Sequence, residues 1–282
     1  MADYQLTYNG LTIGDGTSYD IAAISGLSQP GVRTADVALA RRHGLHPGED
    51  FLAGRTVTMT VEVDADDAAD MSTKLAALHD AFTVGQPNEA DLTLQIPGVC
   101  DGLEVTLGCR PRRVDVPVGV EYVWANLPVC TIQLFATDPL FYRSALGFFN
   151  VPVSQSGGLD APIEAPLVFG GTTTGGLGIA TNAGNFDGRL AYVLVGPCTN
   201  PRLQNVTTGQ AHEFDIELTS GETLLVDTRD RSVLLGGTAN RYEVLTANHE
   251  WWELAPGDND LQYRVSAGGG AIIGSSYSAW TA

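Results

Sequence analysis

The stretch 55–82, RTVTMTVEVDADDAADMSTKLAALHDAF, decides the fold class. Its first nine residues alternate strictly. Val57, Met59, Val61 and Val63 fall on one face, and Thr56, Thr58, Thr60 and Glu62 on the other, the two-residue period of a half-buried strand. The period then changes. Ala68, Met71, Leu75, Leu78 and Phe82 recur at steps of three and four, the stripe of an amphipathic helix. Asp64, Asp66 and Asp67 crowd the start of that helix, where a cap side chain and the macrodipole both favour carboxylates, and Gly85 is expected to end it. The same three aspartates could open a calcium loop. An EF-hand would need Gly and Glu at its sixth and twelfth positions, and these are Ala69 and Leu75, so helix capping is the better reading.

Working outward, YQLTYNGLTIG (4–14) reads as a hairpin turning at Asn9-Gly10, with a second strand at Tyr19–Ile24. Residues 25–54 carry several Gly-containing breaks, two prolines and no sustained period, and read as a long irregular excursion of the kind that usually has a task. Arg33, Arg41, Arg42 and His43 make it a basic island. After the helix, strands are expected at 91–96, 103–109, 110–116 and 120–135, with Pro111 and Pro128 at edges or bulges. The order describes an α+β domain with one main helix, ending near Tyr142.

The second half reads as almost all β. Short strands are expected at 166–169, 177–183, 190–195, 203–207, 211–218, 222–227, 232–235, 241–246, 250–254, 259–266 and near 271–280. Gly, Asn, Asp and Pro separate them, the pattern of a sandwich or jelly roll. The expected organisation is a domain at 1–143, a linker or crossover at 144–162 containing SQSGG (154–158), and a sandwich at 163–282. The fold class is mainly β.

Composition bounds the function. Hydrophobic residues make up 44% and charged residues 17% of the 282, and Lys74 is the only lysine. The formal charge of −18 is spread over both halves, so the chain is not expected to grip nucleic-acid phosphates. The N-terminus MADYQLTYNG has neither the basic nor the apolar region of a signal peptide, and no apolar run approaches a membrane span. Cys100, Cys109, Cys130 and Cys198 form no Cys-x-x-Cys pair and are expected to be buried thiols. No GxSxG, HExxH or Walker-type loop occurs. GGTTTGGLG (170–178) lacks the Lys and helix of a phosphate cradle and reads as a turn. His43 and His46 read as surface residues rather than ligands. No catalytic, metal or cofactor residue is expected. Trp251 and Trp252 in HEWWEL could stack on sugar rings, although in a strand only one of two neighbours can face a groove.

Several phrases, taken in order, resemble the distal tail protein family of siphophages. They are YNGLTIGDGTSYDIAAISGL (8–27), QPGVR (29–33), HGLHPGEDFLAGR (43–55) and FATDPLFY (135–142). The series continues with TNAGNFDGR (181–189), GPCTNPRLQNVTTG (196–209), LTSGETLLVDT (218–228) and WELAPGDNDLQYRV (252–265). Within them, Pro256-Gly257-Asp258-Asn259 suits a turn, Asp227 suits a cap over Thr228–Asp230, and Asn182, Gly184 and Asn185 suit left-handed backbone.

The resemblance implies a tail-tube-like split barrel or sandwich in the first domain and a galectin-like sandwich in the second. It implies a homo-hexamer with the tail-tube protein above and the tail-tip hub protein below. Receptor-binding proteins are further partners, and DNA passes through without specific binding. The protein would be a structural, non-enzymatic virion component at the distal tip of the tail, made in the bacterial host cytoplasm. A long loop called the belt, here near 27–54, would grip the neighbouring subunit through Arg33, Arg41, Arg42, His43 and Phe51. The competing reading is a carbohydrate-binding adhesion module using Trp251 and Trp252. An enzyme such as a wall hydrolase has no motif behind it.

Overall fold

A computed structural model describes residues 1–152 and 176–282. The chain divides into two compact units, Met1–Ala145 with Trp280–Ala282, and Leu146–Ala279. The last three residues thus belong with the first unit. Their anchors there are Trp280, whose Nε1 donates to Asp101, and Thr281, whose carbonyl accepts from Arg55.

In unit 1, β1 (Gln5–Tyr8) and β2 (Leu11–Gly14) form the expected hairpin, with Asn9 and Gly10 both at positive φ. There follow β3 (Tyr19–Ser25), the short arm strands β4 (Val32–Thr34), β5 (Val37–Ala38), β6 (Leu45–His46) and β7 (Asp50–Leu52), and then β8 (Arg55–Val63). Helix α1 (Ala68–Ala81) leads to β9 (Ala90–Gln95) and β10 (Val105–Asp115). Helix α2 (Val120–Trp124), β11 (Val129–Ala136) and β12 (Phe141–Arg143) complete the unit. The antiparallel order is β2-β1-β9-β10-β11-β8-β3, with β12 continuing the β11 edge of β10. β10 joins the two halves. Val105–Cys109 pair with β9 and Arg110–Asp115 with β11, and a bulge falls between Pro111 and Arg113 where the missing N–H would break the ladder.

The alternation of β8 holds, with Val57, Met59, Val61 and Val63 inward. Asp67 caps α1 by accepting from the backbone N–H groups of Ala69 and Asp70, so the aspartates start a helix. Met71, Leu75, Leu78 and Ala81 are its buried stripe, whereas Ala68, in the first turn, is exposed. Tyr8 stacks on Phe82 at 4.9 Å, and Asn9 Nδ2 donates to the Ala81 carbonyl, fastening the hairpin to the end of the helix. In FATDPLFY, Asp138 accepts from Leu140 N and the Tyr142 hydroxyl, fixing the bend between β11 and β12.

In unit 2, one sheet has the order β13 (Gly147–Pro152), β25 (Ala271–Trp280), β15 (Phe186–Val195), β20 (Thr223–Asp227), β21 (Ser232–Leu235) and β22 (Ala239–Asn240). A second has the order β14 (Leu177–Asn182), β23 (Gly257–Arg264), β17 (Arg202–Asn205) and β18 (Ala211–Glu213). β16 (Cys198–Thr199) pairs with β19 (Glu217–Leu218) and β24 (Ala267–Gly268) in a third, smaller sheet. Phe149, Val151, Leu190, Tyr192, Leu194, Leu203, Leu224, Val226, Leu261 and Ile272 fill the core. The molecule is mainly β, as the sequence implied.

Several local readings change. Residues 120–135 are a short helix and a strand, because Val123 N bonds back to Gly119 O and Asn126 takes positive φ before Pro128. Residues 103–109 and 110–116 form the one strand β10. Residues 147–152 of the expected linker are a strand, with Phe149 and Val151 inward. Residues 153–162 of that linker, the strand at 166–169 and most of GGTTTGGLG lie outside the described residues. Residues 242–244 are a 3-10 turn rather than a strand, and of 250–254 only Leu254 bridges, to Gly188.

In TNAGN no residue is left-handed among the positive-φ positions. Instead the fully buried Asn182 side chain donates to Phe186 O and Leu254 O and accepts from Gly184 N and Ala279 N. Gly184 is required because a Cβ there would lie 1.8 Å from the Ala279 carbonyl oxygen. The buried Asn205 and Asn259 bond to one another at 3.0 Å and bracket their own turns. Asp227 caps its turn through Arg229 N. In three of the quoted phrases of unit 2, then, a side-chain amide satisfies buried backbone groups.

Candidate functional site: an arm on unit 1 and a ring cluster in unit 2

Residues 27–54 leave β3 and return at β8 as a narrow ribbon. Val32–Thr34 pair with Asp50–Leu52, and Val37–Ala38 with Leu45–His46. The sequence showed no period here because both faces of the ribbon meet solvent, so neither needs to be apolar. The ribbon is braced internally. Gly48 N donates to Asp36 Oδ1, and the Gly48 Cα lies so close to Ala35 that a Cβ would sit 2.3 Å from its carbonyl oxygen.

The feet of the arm are built into unit 1. Gly26 has φ +87, and a Cβ on it would lie 2.0 Å from Thr56 O. At Gly54 a Cβ would lie 2.6 Å from the Phe135 ring. Between the feet sits Arg55, only 2% exposed. Its guanidinium donates to the carbonyls of Gly26, Ser28, Pro139 and Thr281 and lies 4.4 Å from the Phe141 ring centroid. Burial pulls the Arg55 pKa down from its ordinary value. The cation is held by carbonyl dipoles and a ring face.

Beyond its feet the arm is bare. Val32, Val37, Leu39, Leu45 and Phe51 are exposed, Val37 to 65% and Phe51 to 55%. Arg33 lies beside Phe51 in the same rung, while Arg41, Arg42 and His43 stand exposed at the tip, where Arg41 takes φ +63. The five residues expected to make contact are thus all exposed on one projection, interleaved with apolar side chains, an arrangement common to protein interfaces.

The second candidate divides. Trp252 is 2% exposed and stacks on His212 at 4.8 Å, so it has no face for a sugar ring. Trp251 is half-buried and lies against Tyr242, which accepts its indole N–H at 3.4 Å. Neither is in a strand. Both belong to a ring cluster around His212 that also includes Tyr192, His249 and Phe214. The Tyr192 hydroxyl and His212 Nδ1 share a hydrogen bond of 2.7 Å. Burial, and then the neighbouring His249, push His212 down to about 3, so it is neutral near pH 7. Sequence reading missed this cluster, since His212 and His249 lie far apart in the chain.

All four cysteines are buried and free. Burial pushes Cys100 and Cys109 up to about 12 and Cys130 to about 11, the opposite of a reactive thiol. Among the described residues no group of acidic, His or Cys side chains could hold a metal ion, and no helix is long and apolar enough to cross a membrane.

Comparison with known proteins follows the same lines. Residues 187–273 match the family model described as the siphovirus-type tail component, C-terminal domain. Among curated proteins no sequence match is found. Among solved structures, the chain is similar to the SPP1 Dit (gp 19.1) protein, described as a paradigm of the hub adsorption apparatus in Gram-positive infecting phages. That likeness has a TM-score of 0.69 and 13% identity, and covers 96% of this chain and 97% of the other. It is also similar to a chain of the phage p2 baseplate in its activated conformation with Sr, with a TM-score of 0.53, 12% identity and 96% of each chain covered. At such identities the likeness is one of fold, and it extends over nearly the whole chain. The resemblance to siphophage distal tail proteins read from the sequence is borne out by both comparisons.

Proposed function

We propose that this chain is a structural, non-catalytic component of a siphophage tail tip. Unit 1 closes with its copies into a hexameric ring at the distal end of the tail tube, between the tube protein and the tail-tip hub. DNA passes through the ring without being held, in keeping with the −18 charge. The chain resides in the virion after synthesis in the bacterial host, and unit 2, in the role of the galectin-like sandwich, contacts further partners, receptor-binding proteins among them.

The observation that carries this reading is the arm: a braced ribbon, exposed along its length, with its feet locked by Gly26, Gly54 and Arg55. A free ribbon with bare Val and Phe side chains is costly to leave in water, and one that reaches sideways to an identical neighbour makes a head-to-tail contact that can close into a ring. Arg33, Arg41, Arg42, His43 and Phe51 are the proposed contact residues. The test is assembly of the purified chain with Phe51→Ser and Arg41→Glu/Arg42→Glu. Both variants should stay folded, because these side chains are exposed, and both should lose the ring. Intact rings in both would refute the role of the arm.

The adhesion reading keeps one pair of rings, Trp251 and the 49% exposed Tyr242. Glycan-array binding that disappears in a folded Trp251→Ala variant would support it, and an array without signal would remove it.

A further inference from the structure

Unit 1 has a second bare projection. β10 and β11 stay paired as far as Asp115 and Thr131, and the chain between them leaves the ladder. In this excursion Val116 and Tyr122 lean on the core of unit 1. Leu127 is half-buried, and four further large apolar residues are not covered. Val118, Val120, Val123 and Trp124 are all exposed, and Trp124 reaches 84%. Helix α2 thus turns much of its apolar surface outward, the reverse of a helix that serves only its own domain. A nearly bare Trp is also the residue type most often found to dominate binding at interfaces.

Charge indicates the occupant. Residues 110–127 carry Arg110, Arg112 and Arg113 against Asp115 and Glu121, a balance of +1. The rest of residues 1–145 carry six basic and seventeen acidic residues, a balance of −11. Arg112 and Arg113 are exposed, Arg112 over the Phe135 ring at 5.3 Å and Arg113 paired with Asp115, so the stem carries its charge at the surface. A surface that is apolar at its tip, positive at its base and set on an acidic body is complementary to that same body in another copy.

We propose that the 116–127 excursion, with Trp124 at its centre and Arg110, Arg112 and Arg113 at its stem, docks on the acidic surface of unit 1 in a second copy of this chain. This rests on the ring reading above and adds a contact to it that is independent of the arm. It gives each subunit two projections, one on either side of β8 in sequence, so that deleting either weakens assembly without unfolding the chain.

The test uses the full chain and its Trp124→Ser, Trp124→Phe and Arg113→Glu variants. Assembly is followed by light scattering against concentration, and Trp exposure by acrylamide quenching. The concentration for half-assembly should rise by roughly thirtyfold for Trp124→Ser, the factor that about 2 kcal/mol lost at a Trp hot spot gives. The melting temperature of the free chain should not move. Assembly should protect one indole from acrylamide in the wild type and none in Trp124→Phe. Arg113→Glu should weaken assembly most at low salt. Unchanged assembly of Trp124→Ser, or Trp124 equally quenched before and after assembly, overturns this contact while leaving the ring intact. Protection that appears only when another tail protein is added assigns the surface to that protein and overturns the second-copy assignment. A wild-type chain that never assembles removes the ring reading and this contact together.

Discussion

Replacing Arg55 by Met isolates what holds the arm to unit 1. The guanidinium donates to four carbonyls, two of them at the near foot of the arm, and its side chain is almost wholly out of water. Each charge-assisted bond contributes on the order of 1.5–3 kcal/mol when counted alone. Such bonds are not additive, and removing the cation also returns its desolvation cost, which the lowered Arg55 pKa reports. The net loss should be about 3 kcal/mol, a shift of roughly 6–12 °C in melting temperature for a body of this size. Met keeps the apolar stem, so the change reads the hydrogen bonds rather than a cavity. Calorimetry gives the stability, and limited proteolysis between residues 26 and 54 gives the attachment of the arm, which should be cut faster in the variant. Arg55→Lys should lose nearly as much, because an ammonium cannot fork to carbonyls on several sides. A Met variant within 1 kcal/mol of wild type, or a Lys variant indistinguishable from it, would refute the clamp.

Other consequences are as direct. His212 and His249 are both held below their ordinary pKa in the fold, so the unfolded chain takes up their protons first as pH falls. The His212 contribution is complete above about pH 6.5 and is lost toward about 3, costing up to roughly 1.4 kcal/mol per pH unit, and that of His249 falls in the same direction. Tyr192 stays neutral in this window, and Glu213 partly offsets the effect at His249. The melting temperature of unit 2 should therefore drop between pH 7 and pH 5 and drop less in His212→Gln, and equal drops in the two would contradict it. The four thiols should be silent toward a disulfide reagent in the native protein and all react in denaturant, so rapid reaction of any one in buffer would show its burial to be wrong. Gly26→Ala should destabilise by more than Gly10→Ala, since both are at positive φ but only Gly26 faces a backbone oxygen, at 2.0 Å.

How far the sequence could be read depended on whether a signal was local. The strand at 55–63, the Asp67 cap and the Asn9-Gly10 turn are set by neighbours in the chain, and they were legible. The sandwich strands at 177–183, 190–195 and 232–235 were legible for the same reason. The arm carried no pattern because neither of its faces is buried, so its two short ladders could not be seen. α2 was hidden inside a β-rich run of Val, Tyr and Trp, and only Asn126 and Pro128 mark the break. The ring cluster around His212 joins residues from β15, β18 and the 242–252 segment, and no spacing along the chain announces it. Asn182 was noticed, but for its backbone. Its role belongs to its side chain, which closes on partners as distant as Leu254 and Ala279.

The central claim is that unit 1 is made to join copies of itself, and the mass of the purified full chain in solution tests it most directly. One chain has a mass of 29.8 kDa. The account predicts a closed species of six times that value, seen as a ring with a central opening when imaged. A species of a single chain mass at every concentration, alone and in the presence of tail tubes, would contradict it.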